Sequence, residues 1–407
     1  MNMKQWTHAL AALGLITIPA GLQAEEKMNP VLTALSPTTL SGYINTSVHY
    51  NPGTGNASVP SYAFNAGKQD GFNLDVVSLS LEKALDEAQW SAGYRADLIF
   101  GPDANAYGTL SSSAGDTGDF AIKQAYISLR APVGNGLDFK VGTFDTPMGY
   151  ETFDGYKNPN YTRSYGYTME PFAHTGVLMS YQFCKWFSAS AGIANTFGPS
   201  INERANGPKA ESYKTYIGAV ALTAPEDWGF LSGSTLAGSV INGYNSTTEG
   251  GVDQTSYYLG ATVNTPLKWL KVGASYDHLA TTDENLGDPT AANTSWYGNA
   301  AALYTSISIN EKLSLHLRGE YAWTDTSLLG SEANLDGGNS EVIAGTATLQ
   351  YDLWKNVLSR LEFRWDHQAG DNDMTPYGGD LANSGPGGSG GSLRNYYTVA
   401  LNFIYKF

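Results

Sequence analysis

The sequence contains little cysteine, little positive charge and no long apolar segment beyond its N-terminus. Its single cysteine, Cys184, excludes an internal disulfide framework and falls in a predicted tight turn, which is a poor position for a nucleophile. Lys and Arg number 23 against 38 Asp and Glu, and the net charge of −15 argues against nucleic acid as a partner. Because no Pro- or Ser-rich linker divides the chain, we expect one continuous domain.

The N-terminal segment predicts export. Lys4 precedes an apolar run over residues 9–20, and the small residue Ala24 precedes Glu25, as at the cleavage site of a secretory signal peptide. The run is too short for a membrane-spanning helix, and a buried N-terminal helix is the alternative. We expect a signal peptide over 1–24, a short periplasmic lead over 25–40 and a single barrel domain over 41–407.

Alternating apolar and polar residues, interrupted by clusters of Gly, Asn, Asp and Pro, predict about sixteen β-strands. Most are longer than the strands of soluble sheets and suit a tilted crossing of a bilayer. The predicted strands are 41–51, 70–84, 88–101, 119–132, 136–147, 173–184, 186–198, 210–224, 229–244, 253–266, 268–281, 294–308, 311–325, 339–353, 356–369 and 394–407.

The connections between these strands alternate between short and long along the whole chain. The long ones are residues 52–69, 102–118, 148–172, 199–209, 245–252, 282–293, 326–338 and 370–393. Short turns on one rim and long loops on the other are typical of an outer-membrane barrel, with its turns in the periplasm and its loops outside. The predicted fold class is therefore all-β, a transmembrane antiparallel β-barrel.

Side-chain alternation assigns the faces of several strands. Between residues 313 and 323, leucines and aromatic residues share one face, while His316 and Arg318 occupy the other. In the predicted strand 356–369, Arg360 and Arg364 lie on one face and Phe363 lies on the other. A charged face opposite an apolar face suits water inside the barrel and lipid outside. By this parity the basic residues of the lumen wall are Arg95, Arg130, Lys140, His316, Arg318, Arg360 and Arg364.

The final strand also carries an assembly motif. Aromatic and aliphatic residues alternate with polar ones through Tyr405, and the chain ends on Phe407. This ending resembles the C-terminal signal by which the outer-membrane barrel assembly machinery recognises its substrates. We therefore expect Tyr405 and Phe407 to act in assembly.

The third long connection, residues 148–172, has no helix or strand pattern, and loops of this length in compact domains are usually functional. Because a barrel of sixteen strands is wide enough for water, we expect this loop to fold into the lumen and narrow it. Loop carboxylates facing wall guanidinium groups would set a field across the narrowest point. Ordinary solvated charges are the alternative. The candidate constriction residues are Glu151, Asp154, Tyr156, Arg163, Tyr165 and Glu170.

Three segments in and around this loop resemble a known family. They read GTFDTPMGYE over 142–151, NPNYTRSY over 158–165 and PFAHTG over 171–176. They are similar to the OmpL-like, or type-2, family of Gram-negative β-barrel porins, and the similarity extends over the mature chain. The resemblance implies a pore but says little about its cargo. General porins of this size place a constriction in their third loop and form trimers, so a homotrimer is implied.

The predicted function is an outer-membrane porin for passive diffusion of small hydrophilic solutes and ions, without enzymatic activity, cofactor or metal. The glycine-rich run over 385–390 matches a dinucleotide-binding pattern only by letter, since no βαβ unit surrounds it. The expected partners are outer-membrane lipids, lipopolysaccharide, the barrel assembly machinery and the solutes. The alternative is a non-transporting barrel, either an enzyme or an adhesin, that acts through its extracellular loops.

Overall fold

The computed structural model describes residues 31–33, 36–52, 60, 68, 70–86, 90–107, 109, 119–205, 213–244, 251–284, 294–325, 340–370, 377 and 393–407. The signal peptide predicted over 1–24 lies outside the described residues. The same is true of parts of every predicted long loop except residues 148–172.

Seventeen strands are present in the described residues, and sixteen of them form the barrel. They are β1 Val31–Thr33, β2 Ser36–Tyr50, β3 Phe72–Lys83, β4 Ala92–Phe100, β5 Phe120–Ala131, β6 Leu137–Asp145, β7 Ala173–Cys184, β8 Phe187–Ala194, β9 Thr215–Thr223, β10 Thr235–Tyr244, β11 Gly251–Asn264, β12 Leu270–Glu284, β13 Thr294–Ser308, β14 Leu313–Thr324, β15 Ser340–Trp354, β16 Val357–Gln368 and β17 Asn395–Lys406.

The barrel closes between its last and first long strands. Each strand from β2 to β17 pairs antiparallel with the next, and β17 pairs with β2 from Val399↔Tyr50 to Lys406↔Tyr43. Closure leaves the barrel wall without an unpaired edge. The short strand β1 pairs with the start of β2, with Val31 opposite Thr38. The predicted all-β antiparallel barrel of sixteen strands is confirmed.

Within the described residues, helical structure is confined to short pieces in the connections. Helix α1 spans Pro102–Tyr107, helix α2 spans Tyr165–Met169, and two 3₁₀ helices span Gly155–Lys157 and Glu226–Leu231. Within the described ranges, no helix has both the length and the apolar character needed to cross a membrane.

Several predicted strand boundaries differ from the structure, and two of them change how a segment is assigned. Strand β2 begins at Ser36 rather than at residue 41, so the end of the predicted lead over 25–40 is already part of the barrel. Strand β10 begins at Thr235 rather than at residue 229 because the preceding residues form a 3₁₀ helix, in which Gly229 has a φ of 60°. Apolar residues such as Phe230 in that helix imitate the alternation of a strand.

The two faces of the wall have the polarity that the alternation predicts. On the outer face, Phe363 is 46% exposed. Its lumen-facing neighbours Arg360 and Arg364 are almost completely buried, as is Arg318 on β14. Water does not cover these guanidinium groups, so something inside the barrel does.

Strand β6 includes a glycine that the barrel needs. Gly142 has a φ of 136°, and a Cβ added there would lie 2.3 Å from the backbone oxygen of Ala125 on β5. An L side chain at this position is strained and also clashes with a neighbouring strand that cannot move freely.

We expect Gly142→Ala to lower the free energy of unfolding by about 1–3 kcal/mol, the cost of holding one residue in a disfavoured backbone region. The measurement is the denaturant midpoint of the refolded protein in detergent. Gly319→Ala on β14 is the matched control, because a Cβ there meets no atom within 4 Å. Equal midpoints for the two variants would contradict the prediction.

Candidate functional site

Residues 148–172, hereafter the central loop, lie inside the barrel. The chain leaves β6 and returns at β7, and the backbone N–H of Thr146 donates to the carbonyl of Phe172 over 3.0 Å, which closes the neck of the loop. Ser164 caps helix α2 by accepting a hydrogen bond from the N–H of Tyr167. Between these points the loop contacts strands far around the wall, on β2, β12, β14 and β16.

Arg318 on β14 is the most heavily bonded wall residue at the central loop. Its guanidinium contacts Glu151 of the loop at 2.8 Å and Glu320 of the same strand at 2.6 Å. It also donates to the carbonyls of Thr162 and Arg163. The carboxylates of Glu151 and Glu320 then accept the backbone N–H groups of Ser164 and Tyr165. All three charged side chains are at most 2% exposed.

Strand β16 holds the same part of the loop with alternating charges. Arg360 donates to the carbonyls of Gly155 and Asn158, and Arg364 donates to that of Arg163. Glu362 accepts the N–H groups of Tyr161 and Thr162 over 2.6 and 2.8 Å. Wall arginines therefore satisfy loop carbonyls, and wall carboxylates satisfy loop N–H groups.

The strand register explains why these long side chains fit together. Thr346 on β15 pairs with both Arg318 on β14 and Arg364 on β16, so the two arginines lie in one row across the wall. In the neighbouring row, Ala344 separates Glu320 from Asp366 in the same way. Because Thr346 and Ala344 are small, the charged side chains have room to lie over them and reach the loop.

Asp154 is held on the other side of the lumen. Its carboxylate lies 2.8 Å from Lys157 of the loop and 3.6 Å from Lys123 on β5, and it accepts the hydroxyl of Tyr43. Burial acts to raise the pKa of Asp154, but Lys123 and Lys157 outweigh it and hold that pKa well below its ordinary value. Lys123 also pairs with Asp145 at the end of β6.

Glu170 faces a carboxyl group instead of a cation. Its carboxyl group lies beside that of Asp277 on β12, and both side chains are buried. A Cβ added to Gly166 would lie 2.2 Å from an oxygen of Asp277, so the loop backbone rests directly on this carboxyl group. Burial first, and then Asp277, raise the pKa of Glu170 well above its ordinary value.

The other predicted loop residues are Tyr165 and Arg163, which are buried, and Tyr156, which is half-buried. The hydroxyl of Tyr165 donates to Asp366 over 2.9 Å, and the guanidinium of Arg364 lies 5.2 Å from its ring centroid. Arg163 donates to the carbonyls of Tyr161 and Phe153 and lies over the ring of Tyr167. Tyr156 packs against Tyr43, with a centroid distance of 5.0 Å. These contacts attach the loop to strands β2 and β16 of the wall.

The remaining predicted wall residues bond within the wall. Arg95 contacts Asp97 at 2.8 Å and Glu82 at 3.4 Å. Arg130 contacts Asp138 near the short turns. The ammonium group of Lys140 lies 4.8 Å from the ring centroid of Tyr126, and His316 bonds Ser306. The structure thus brings Arg318, Arg360 and Arg364 to the loop and engages the other four elsewhere.

The geometry revises the expected field of loop carboxylates facing wall guanidinium groups. Glu151 meets Arg318, but in direct, buried contact. Asp154 meets two lysines and Glu170 meets another carboxyl group. Charges that touch one another and are covered from water project little field into the lumen, so these pairs hold the loop in place.

Beneath the central loop the lumen is a cavity of about 1510 Å³. Loop residues line one end, and the short turns line the other, through Asn135, Cys184 and Asn310. Half-buried aromatic rings of the loop face this space, among them Phe153, Tyr156 and Phe172. In the part of the chain that the structure describes, no three His, Cys, Asp or Glu side chains are grouped to hold a metal ion.

At the end of the chain, the rings of Tyr405 and Phe407 lie 6.4 Å apart on the outer face. Phe407 and Gly42 on β2 exchange backbone hydrogen bonds, so the chain terminus is part of the barrel closure. The role of Tyr405 and Phe407 in assembly stays a prediction.

Several residues at the loop escaped the sequence prediction of the site. Glu320, Glu362 and Asp366 alternate with the predicted arginines on the same face, so their parity was visible in the sequence. Lys123 and Asp277 lie on strands far from the loop in sequence, and only the closed barrel brings them to it.

Comparison with known proteins agrees with this architecture. Among solved structures, the anion-selective porin of Comamonas acidovorans matches with a TM-score of 0.57 at 12% identity, over 91% of this chain and 99% of the other. The DcaP channel of Acinetobacter baumannii has the same TM-score and identity, over 91% and 97%. A trimer form of Vibrio cholerae OmpT matches with a TM-score of 0.53 at 11% identity, over 91% and 99%. Likeness at this identity concerns the fold.

The search of curated proteins finds no match. A family model nevertheless covers residues 37–407, which is the barrel from the first residues of β2 to the C-terminus. The chain therefore belongs to the family described as "Putative beta-barrel porin-2, OmpL-like", and it is an outer-membrane β-barrel of the porin type.

Proposed function

We propose that the protein forms a water-filled channel through which small hydrophilic solutes and ions diffuse passively. The observation that carries the proposal is the cavity of about 1510 Å³ inside the closed barrel, bounded by the central loop at one end and by the short turns at the other. Membership of a porin family supports the same function. The central loop is then the constriction, and the closed charge pairs keep it seated.

The single cysteine provides a direct test, because Cys184 is half-buried, free and part of the cavity lining near the short turns. We expect the refolded protein to conduct ions steadily in a planar bilayer. A negatively charged thiol reagent added from the short-turn side should shift the reversal potential in a salt gradient towards cation preference, and a positively charged reagent should shift it the other way.

Cys184→Ser is the matched control, and neither reagent should change its reversal potential. Steady conductance with no reagent effect on the thiol-containing protein would show that ions do not pass the cavity. Absence of conductance from well-folded protein would contradict the channel itself and favour the non-transporting barrel.

The expected location and partners follow from the same proposal. Exposed residues on the outer face, including Leu361 and Phe363, would contact outer-membrane lipids, and the long loops would meet lipopolysaccharide. Tyr405 and Phe407 would be recognised by the barrel assembly machinery. A homotrimer is proposed with them, supported by the trimer form reported for Vibrio cholerae OmpT, a protein of the same fold.

A further inference from the structure

The charged residues that the central loop contributes to the cavity lining are engaged with other residues. Arg318, Glu151 and Glu320 are buried as a group, and Lys123 and Lys157 hold Asp154. A dissolved ion entering the cavity therefore meets few uncommitted charges on the central loop. Any discrimination between solutes by the loop then depends on the uncharged groups that it presents to the cavity.

Those groups are aromatic. Phe153, Tyr156 and Phe172, hereafter the aromatic patch, line the cavity and are half-buried, so part of each ring faces the solvent of the lumen. Tyr107 of helix α1 supports the patch from behind, with ring centroids 4.9 Å from Phe153 and 5.8 Å from Phe172. Tyr43 supports Tyr156 at 5.0 Å. The rings are thus fixed by packing.

Polar groups border the aromatic patch. Asp145, Thr152, Lys157 and Asn158 line the same cavity, and the side chains of Asp145 and Lys157 are partly exposed. Tyr107 fixes the carboxylate of Asp145 by donating to it over 2.8 Å. Rigid rings with a few placed polar groups around them are typical of binding sites for small molecules.

We propose that the aromatic patch binds ring-shaped solutes that have an apolar face and a polar edge, the chemistry shared by pyranose sugars and aromatic acids. The apolar face of such a solute removes ring surface from water, and its hydroxyl or carboxylate groups reach the polar border. An open-chain polyol offers the same hydroxyl groups without a flat face. This inference rests on the proposed channel function and adds a solute class to it.

The test is block of the ion current of the full-length protein in a planar bilayer. Glucose represents the pyranose sugars, benzoate represents the aromatic acids, and sorbitol represents the open-chain polyols. We expect glucose, benzoate or both to reduce the potassium chloride current at lower concentrations than sorbitol does. Phe153→Leu retains apolar bulk but removes the ring, and it should raise the half-blocking concentration about threefold to tenfold.

Phe183→Leu is the matched control, because Phe183 is 52% exposed and does not line the cavity. Block by glucose alone identifies a sugar-type solute, and block by benzoate alone identifies an aromatic acid. Normal current without preferential block, or equal block of Phe153→Leu and the unmodified protein, would overturn the inference and leave the channel intact. Absence of any current would contradict both the proposed channel function and the inference about its solutes.

Discussion

Replacing Arg318 with alanine is expected to release the central loop from the lumen. The substitution leaves Glu151 and Glu320 buried without their guanidinium partner and removes the donors to the carbonyls of Thr162 and Arg163. Removing one partner of a buried ion pair costs about 3–5 kcal/mol. The loss falls on the loop segment around Thr162 and Arg163, whose carbonyls Arg318 bonds directly.

Limited trypsin digestion measures this release. Lys157 and Arg163 are held inside the barrel, so trypsin reaches them only when the loop leaves the lumen. Rapid cleavage at these two residues should appear in Arg318→Ala, together with a larger and noisier single-channel current. Arg318→Lys should be intermediate, because an ammonium group keeps the charge but cannot reproduce the fork of a guanidinium.

Arg130→Ala is the control for loss of a wall arginine. Arg130 contacts Asp138 near the short turns rather than the central loop, so its loss should leave the loop in the lumen. A loop in Arg318→Ala that is as resistant to trypsin as in Arg130→Ala would show that the buried network does not hold it.

The architecture was readable from the sequence because a membrane barrel constrains every strand in the same way. On β14, alternation places Arg318 on the inner face and Leu317 on the outer face. The same alternation assigns the inner face of β16. Boundaries failed at β10, where Phe230 belongs to a 3₁₀ helix with an apolar sequence. A pattern of alternating apolar and polar residues identifies a candidate strand, but a short helix of similar composition can show the same pattern.

The partners of the loop were not readable, because they depend on closure and register. The sequence identified Glu151 and Arg318 as candidates, but not that they touch. Nothing in the local sequence relates Glu170 to Asp277, which lies five strands further along the barrel, on β12. The predicted field across the lumen assumed separated charges, whereas the register of β14 to β16 places them in contact.

The contact between Glu170 and Asp277 has a different pH dependence from an ion pair. The groups around Glu170 are the carboxyls of Asp277 and Glu151 and the phenols of Tyr167 and Tyr258, all acidic. Two buried carboxyl groups in contact can be accommodated when one of them carries a proton and donates it to the other. The last turn of the central loop is therefore held by a hydrogen bond that needs that proton.

The sign of the effect follows from the raised pKa of Glu170. When the loop is released, Glu170 loses its proton near the ordinary glutamate pKa of about 4.3. In the seated loop it keeps the proton to higher pH. Between the ordinary and the raised pKa of Glu170, the protein with its loop in the lumen binds more protons than the protein with its loop released. The stabilisation of the loop is therefore fully present below the ordinary pKa and is lost as the pH rises through the raised one.

We therefore expect current fluctuations of the unmodified protein to increase as the pH is raised from about 4 towards and beyond neutrality. Glu170→Gln should flatten this dependence, because the amide donates to Asp277 without titrating, and loss of the proton-dependent bond is worth about 1.5–3 kcal/mol. Asp138→Asn is the control and should keep the unmodified profile. A Glu170→Gln channel that still becomes noisier at high pH would assign the pH dependence to another group and leave Glu170 a structural residue of the loop.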